Sequence, residues 1–274
     1  MDFVTLSGDV RNPPVISWND STSTIGSTFM SATVIVEGMY FIATNIQIEN
    51  SAPIPMNGAE DGQAVALRVS GDRAAFYHCR FLGYQDTLYD ERGLHYFYKC
   101  FIEGAIDFIC GNGRSLYEDC RLSFIGTSRS WITAQKRESK SNETGFSFVG
   151  GQITGQGAVY LGRPWGAFST VIFSNTRMDQ LVIPQGWDGF WSEKDKSSTV
   201  YYAEYACWGP GANTTGRVPW SHKLTEAEAK KFREKDYING STWIIAEKQK
   251  KKISPDLKTW SIQHSKACCA KQKK

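Results

Sequence analysis

Phe76-Tyr-His-Cys79-Arg-Phe81 returns as Phe97-Tyr-Lys-Cys100-Phe-Ile102 and again as Leu116-Tyr-Glu-Asp-Cys120-Arg-Leu122, so a cysteine follows an aromatic-rich run at steps of 21 and 20 residues. Self-similarity at a fixed period in this range is the signature of a solenoid. Each unit is short, rich in Phe, Tyr, Val and Ile, and punctuated by Gly, with no long stretch of 3.6-residue periodicity. The unit therefore reads as a coil of strands and turns rather than a pair of helices. The fold this predicts is all-β, a single-stranded parallel β-helix.

The same period carries the residues best suited to chemistry. Gln63 and Gln85 are 22 residues apart, and Asp86 and Asp107 are 21 apart, each Asp lying seven residues after the cysteine of its coil. Neighbouring coils sit about 4.8 Å apart, which places the two carboxylates side by side on one face. Two carboxylates at such a distance repel, so one pKa is expected to rise and the other to fall, leaving one proton donor and one anion. Gln63 and Gln85 fall in one column and offer amide donors for an oxyanion developing on a substrate carbonyl. A single Asp or Gln on such a surface commonly caps a turn; four in register point to chemistry.

Four segments carry a resemblance to a known family. Gly83-Tyr-Gln-Asp-Thr-Leu-Tyr89, Ala105-Ile-Asp-Phe-Ile-Cys-Gly-Asn112, Leu161-Gly-Arg-Pro-Trp-Gly166 and Gln63-Ala-Val-Ala-Leu-Arg68 resemble the signatures of the plant pectinesterases, or pectin methylesterases, over about Ser7 to about Ile244. The resemblance implies a right-handed β-helix that removes methyl esters from galacturonate residues of pectin and releases methanol. It implies Asp107 as nucleophile, Asp86 as general acid and then base, and Gln63 and Gln85 as stabilisers of the anionic intermediate. Arg163 resembles the arginine that pairs with the nucleophile, and Trp165 and Trp187 the aromatic walls of the sugar cleft. No cofactor or metal is implied. The implied partners are methyl-esterified pectin (homogalacturonan) and, by analogy, a proteinaceous inhibitor, with the chain acting as a secreted, cell-wall monomer.

Composition and motifs bear on the other classes. His78, His95, His222 and His264 form no pair at metal-ligand spacing, so each reads as satisfied or solvated. No Gly-X-Ser-X-Gly elbow occurs, against a serine esterase. A polygalacturonase would place its carboxyls roughly 6.5–9.5 Å apart, and neither an Asn-Thr-Asp nor a Gly-His-Gly motif is present. A lyase would want several carboxylates converging on calcium. The basic residues concentrate in a tail without interleaved aromatics, against nucleic-acid binding, and no run of 18 apolar residues suggests a membrane span.

With 274 residues and 41% hydrophobic content, one β-helix domain over residues 1–246 is expected, followed by a basic, solvated tail over 247–274. The formal charge is +3, and the tail's lysines leave the folded body close to neutral. Nine Trp and 12 Tyr exceed what a core alone requires and suit sugar stacking. The Gly/Pro-rich Trp208-Gly-Pro-Gly-Ala212 marks the exit from the coils, and Leu224–Phe232 reads as a short helix with Thr225 and Glu228 at capping-box spacing. Of seven cysteines, Cys79, Cys100 and Cys120 form a column in which neighbouring coils could be bridged by a disulfide or the thiols could form a buried apolar ladder, the latter being the favoured reading. Sequons at Asn19, Asn142, Asn213 and Asn239 suit a glycoprotein. Two departures from the family pattern stand out: residues 1–274 show neither a signal peptide nor the opening Gly-X-Tyr-X-Glu element, and Cys110 stands where the family has Phe. The first predicts an uncapped end to the stack, and the second a small void beside the nucleophile. A catalytically impaired, truncated pectin-binding paralogue is the alternative these departures suggest.

Overall fold

Each repeat folds as one coil of three short strands. In the computed structural model, which describes residues 1–55 and 61–244, one such coil is Leu94–Tyr98, Phe101–Gly104 and Ile109–Gly111. The next is Arg114–Glu118, Arg121–Phe124 and Ser130–Gln135. Stacked coils give three sheets of nine, seven and six strands among the described residues, with parallel pairing between coils. This is the parallel β-helix that the period predicts, and Met1–Trp243 forms one compact unit.

The repeating aromatic becomes a ladder inside the stack. In the first sheet Phe76 pairs with Phe97, and Phe97 with Tyr117. Their rings stack at 4.9 and 4.6 Å between centroids, and the column runs on through Phe148 and Phe173 at 4.5 and 4.4 Å. Parallel in-register strands oblige identical positions to meet, so one aromatic position per coil suffices to build a continuous stack.

The cysteine column follows from the corner between the first and second sheets. His78, Lys99, Asp119, Asn175 and Ala206 all adopt left-handed backbone there, with φ between 48° and 55°. That conformation costs a non-glycine residue roughly 1 kcal/mol. It turns the chain sharply and sends the following side chain inward. Cys79, Cys100 and Cys120 are buried free thiols, as the ladder reading expects. Cys100 and Cys120 donate to the carbonyls of Phe76 and Phe97, each at 3.4 Å. Cys207 repeats the pattern on Phe173 at 3.4 Å, a fourth member that the sequence period hides. Cys268, Cys269, His264 and the basic tail lie outside the described residues.

His95 is one of the satisfied histidines. Its Nδ1 lies 2.5 Å from Asp90 Oδ1 and its Nε2 3.1 Å from the Gly71 carbonyl, while the Tyr117 hydroxyl donates to Asp90 Oδ2 at 2.6 Å. His78 and His222 are exposed. The helix forms over Glu226–Arg233 with the expected capping box: Thr225 Oγ1 accepts from the Glu228 amide and Glu228 Oε2 from the Thr225 amide. It packs on the coils through Phe232, whose carbonyl accepts from Ser147 at 2.6 Å. All four sequon asparagines are exposed, as are Phe3, ahead of the strand Thr5–Ser7, and Val15 and Trp18 on the strand Val15–Trp18.

Candidate active site

The two acids sit at the corner before the third sheet, where Leu88 pairs with Ile109. Counting back two residues puts Asp86 beside Asp107, and the Asp86 amide donates to the Ile106 carbonyl at 3.0 Å, as that register requires. Both acids are in left-handed backbone, φ 58° and 47°. Strain of this kind at two adjacent non-glycine positions is held by the surrounding ladder and aims both carboxyls into one cleft.

Gln63 reaches the same column through a bulge. The Thr87 carbonyl accepts from both the Ala66 and the Leu67 amides, at 2.8 and 3.2 Å. This absorbs the extra residue that makes one spacing 22 and the next 21. Above it the Ala64 amide donates to the Gln85 carbonyl at 3.1 Å, so Gln63 lies over Gln85, and Gln85 in turn bridges to Ile106. Gln63, Gln85, Asp86, Asp107, Arg163 and Trp165 all line one cleft of about 340 Å³.

Arg163 holds Asp107 with a fork. Its Nε lies 3.0 Å from Oδ1 and its Nη2 2.5 Å from Oδ2, and Asp107 is only 3% exposed. The guanidinium is clamped between rings, 3.8 Å from the Trp131 centroid and 4.5 Å from that of Trp191. Trp131 is itself tied to Asp188 by its Nε1 at 2.9 Å.

The electrostatics differ in one respect from the simple repulsion argument. Burial raises both carboxyls, so neither falls below its usual range. Asp86 goes well above it, through burial first and then the charge of Asp107. Asp107 is also raised by burial, but the charge and hydrogen bonds of Arg163 oppose the rise. The two acids therefore differ in degree: Asp86 is raised well above the ordinary range, while Arg163 restrains the rise of Asp107.

A pectinesterase family model matches residues 1–241. The chain belongs to the pectinesterase family. Putative pectinesterase 14 of Arabidopsis thaliana is 48% identical over 231 residues, covering 84% of this chain and 69% of the relative. Probable pectinesterase 8 of the same plant is 43% identical, covering 88% of this chain and 63% of the relative. Among solved structures, pectin methylesterase from carrot superposes with a TM-score of 0.82 at 34% identity, covering 89% of this chain and 79% of that one. A pectin methylesterase in complex with a hexasaccharide superposes at 0.73 with 26% identity, covering 88% and 84%.

In this pectinesterase-family chain one predicted site residue is misplaced. Trp187 is 1% exposed and stacks on Tyr202 at 4.5 Å, extending the core's aromatic column, with its Nε1 on Glu204 at 3.3 Å. The cleft wall is built instead by Trp191, which stacks on Trp165 at 5.8 Å. The hairpin Phe190–Trp191 with Lys194–Asp195 carries it there. Trp187-Asp-Gly-Phe-Trp191 offered two tryptophans, and without the hairpin nothing in the sequence ranked them. Phe29 and Tyr89 also line the cleft and were not anticipated. Cys110, 2% exposed, lies in the cleft lining with the acids. Burial and the neighbouring carboxylates hold its thiol protonated, so it is a small apolar wall and not a nucleophile.

Proposed function

We propose that this chain hydrolyses the methyl esters of galacturonate residues in pectin. The observation that carries the reading is the Asp107–Arg163 fork set beside a strongly raised Asp86 under two glutamines. Arg163 keeps Asp107 ionised in a buried site, and its carboxylate attacks the ester carbonyl. The amides of Gln63 and Gln85 donate to the resulting oxyanion. Asp86 gives its proton to the methoxy oxygen, the C–O bond breaks, and methanol leaves. The acyl group then remains on Asp107 as an anhydride. Water, losing a proton to Asp86, attacks the acyl carbon; Asp107 is released as carboxylate and the new galacturonic acid group passes its proton to solvent.

Trp165 and Trp191 provide a stacked aromatic wall for sugar rings, consistent with the oligosaccharide bound to the structural relative. The exposed sequons and the family's plant members support a glycosylated, cell-wall protein. Among the described residues no helix is long and apolar enough to cross a membrane.

Product analysis on highly methyl-esterified pectin tests the reaction class. Methanol and new carboxyl groups should appear one for one, with chain length unchanged. New reducing ends would instead indicate a glycosidase, unsaturated ends a lyase, and no product at all the impaired-paralogue alternative.

A further inference from the structure

A second cavity of about 670 Å³, roughly twice the catalytic cleft, opens at the corner between the third and first sheets. It lies against the helix Glu226–Arg233 and shares no lining residue with the cleft. Arg114, Arg137, Lys140 and Lys231 surround it against a single acid, Glu143. Residues 1–244 as a whole carry more Asp and Glu than Lys and Arg, so this is a local reversal of the body's charge.

The cations fall into two kinds. Arg114 and Arg137 are fixed: Arg114 Nη1 lies 2.6 Å from Glu143, and Arg137 donates to Thr170 Oγ1 at 3.0 Å and to the Lys140 carbonyl at 2.7 Å. The Arg114 Nε is buried without a hydrogen-bond partner among the described residues. Lys140 and Lys231 are exposed and make no ion pair among the described residues. They come from different segments, a loop and a helix. Such an array suits a ligand with repeated negative charges better than one small anion that would need converging donors. Between the cations lie Phe168 and Tyr201, half-buried aromatic surfaces of the kind that pack on sugar rings, while Tyr237 is buried with the Arg114 guanidinium 5.1 Å from its ring centroid.

We propose that this cavity is a second carbohydrate site that binds de-esterified galacturonan, the carboxylate-bearing form of the sugar chain. On a body with only a small excess of acids, a basic cavity with aromatic surfaces gives such a polyanion a place to dock.

Binding of a fluorescent, unesterified oligogalacturonate to the Asp107→Asn protein tests this. The double variant Lys140→Ala/Lys231→Ala should bind it roughly tenfold more weakly, as expected for two exposed ion pairs. The control Arg80→Ala/Arg121→Ala removes the same charge from the second sheet, where both side chains are exposed, and should change binding less than twofold. Equal weakening by both double variants, no weakening by either, or equal competition by polyglutamate would overturn the proposal. So would an equal loss of affinity for the fully methyl-esterified oligomer. Unchanged thermal unfolding of both variants secures the comparison. Because the ligand carries no ester and Asp107 is neutralised, the result stands whether or not the chain releases methanol.

Discussion

Asp86 is placed against its own stability. Burial raises its carboxyl well above the ordinary range, so the folded protein holds the proton more tightly than the unfolded chain does. Stability from this group is therefore full below the unfolded pKa and is lost as pH rises through the folded one. Asp86→Asn should lose methanol release yet unfold at a higher temperature than the parent at neutral pH. The difference should shrink toward zero as the pH is lowered below the ordinary Asp range; thermal melts across pH check it. Arg163 acts in the opposite sense on Asp107. Arg163→Lys keeps a charge but loses the fork, so Asp107 should titrate higher. The low-pH limb of the rate profile should then move to higher pH and kcat fall roughly 10- to 100-fold. An unmoved limb would mean that Arg163 does not hold the charge of Asp107.

The elements explain which parts of the molecule can be read from the chain. Coils around Cys79, Cys100 and Cys120 are visible because their corners are tight, so one coil is 21 residues and the next 20. Beyond them the register steps are irregular: Ile109 pairs with Thr133, and Thr133 with Gly162, because loops such as 136–144 intervene. Loop insertions leave the stack intact while erasing the period, and Gly151 and Thr176 occupy the two corner positions between Cys120 and Cys207, so the sequence does not show Cys207 as part of the column. The acids and glutamines were legible because they lie in the regular coils; Trp191 was not, because a hairpin outside the repeat positions it. The ladder itself should be costly to interrupt. Phe97→Ala removes a fully buried ring between two stacked neighbours and should cost about 3–5 kcal/mol in denaturant unfolding. Tyr117→Phe keeps the ring but takes the donor from buried Asp90, and should cost about 1–3 kcal/mol.

Across the whole molecule, a stack of coils is stabilised by nearest neighbours, and its end strands have a partner on one side only. Among the described residues Thr5–Ser7 pairs only with Ile42–Thr44 in the nine-stranded sheet, and His222–Lys223 only with Tyr201–Tyr205. Amide hydrogen exchange should be slowest in the central coils, from Leu67 to Phe124, and faster toward both ends. Uniform protection along the stack would contradict that picture. The same central coils hold Asp86 and Asp107, so the proposed catalytic acids should lie in the slowest-exchanging part of the fold. The most direct test is methanol release from methyl-esterified pectin by the chain and by Asp107→Asn, with thermal unfolding measured on both. Release by the parent that falls by about a thousandfold or more in the variant, with the fold retained, is the predicted result. A variant that keeps the parent's rate would contradict the assignment of Asp107 as the nucleophile.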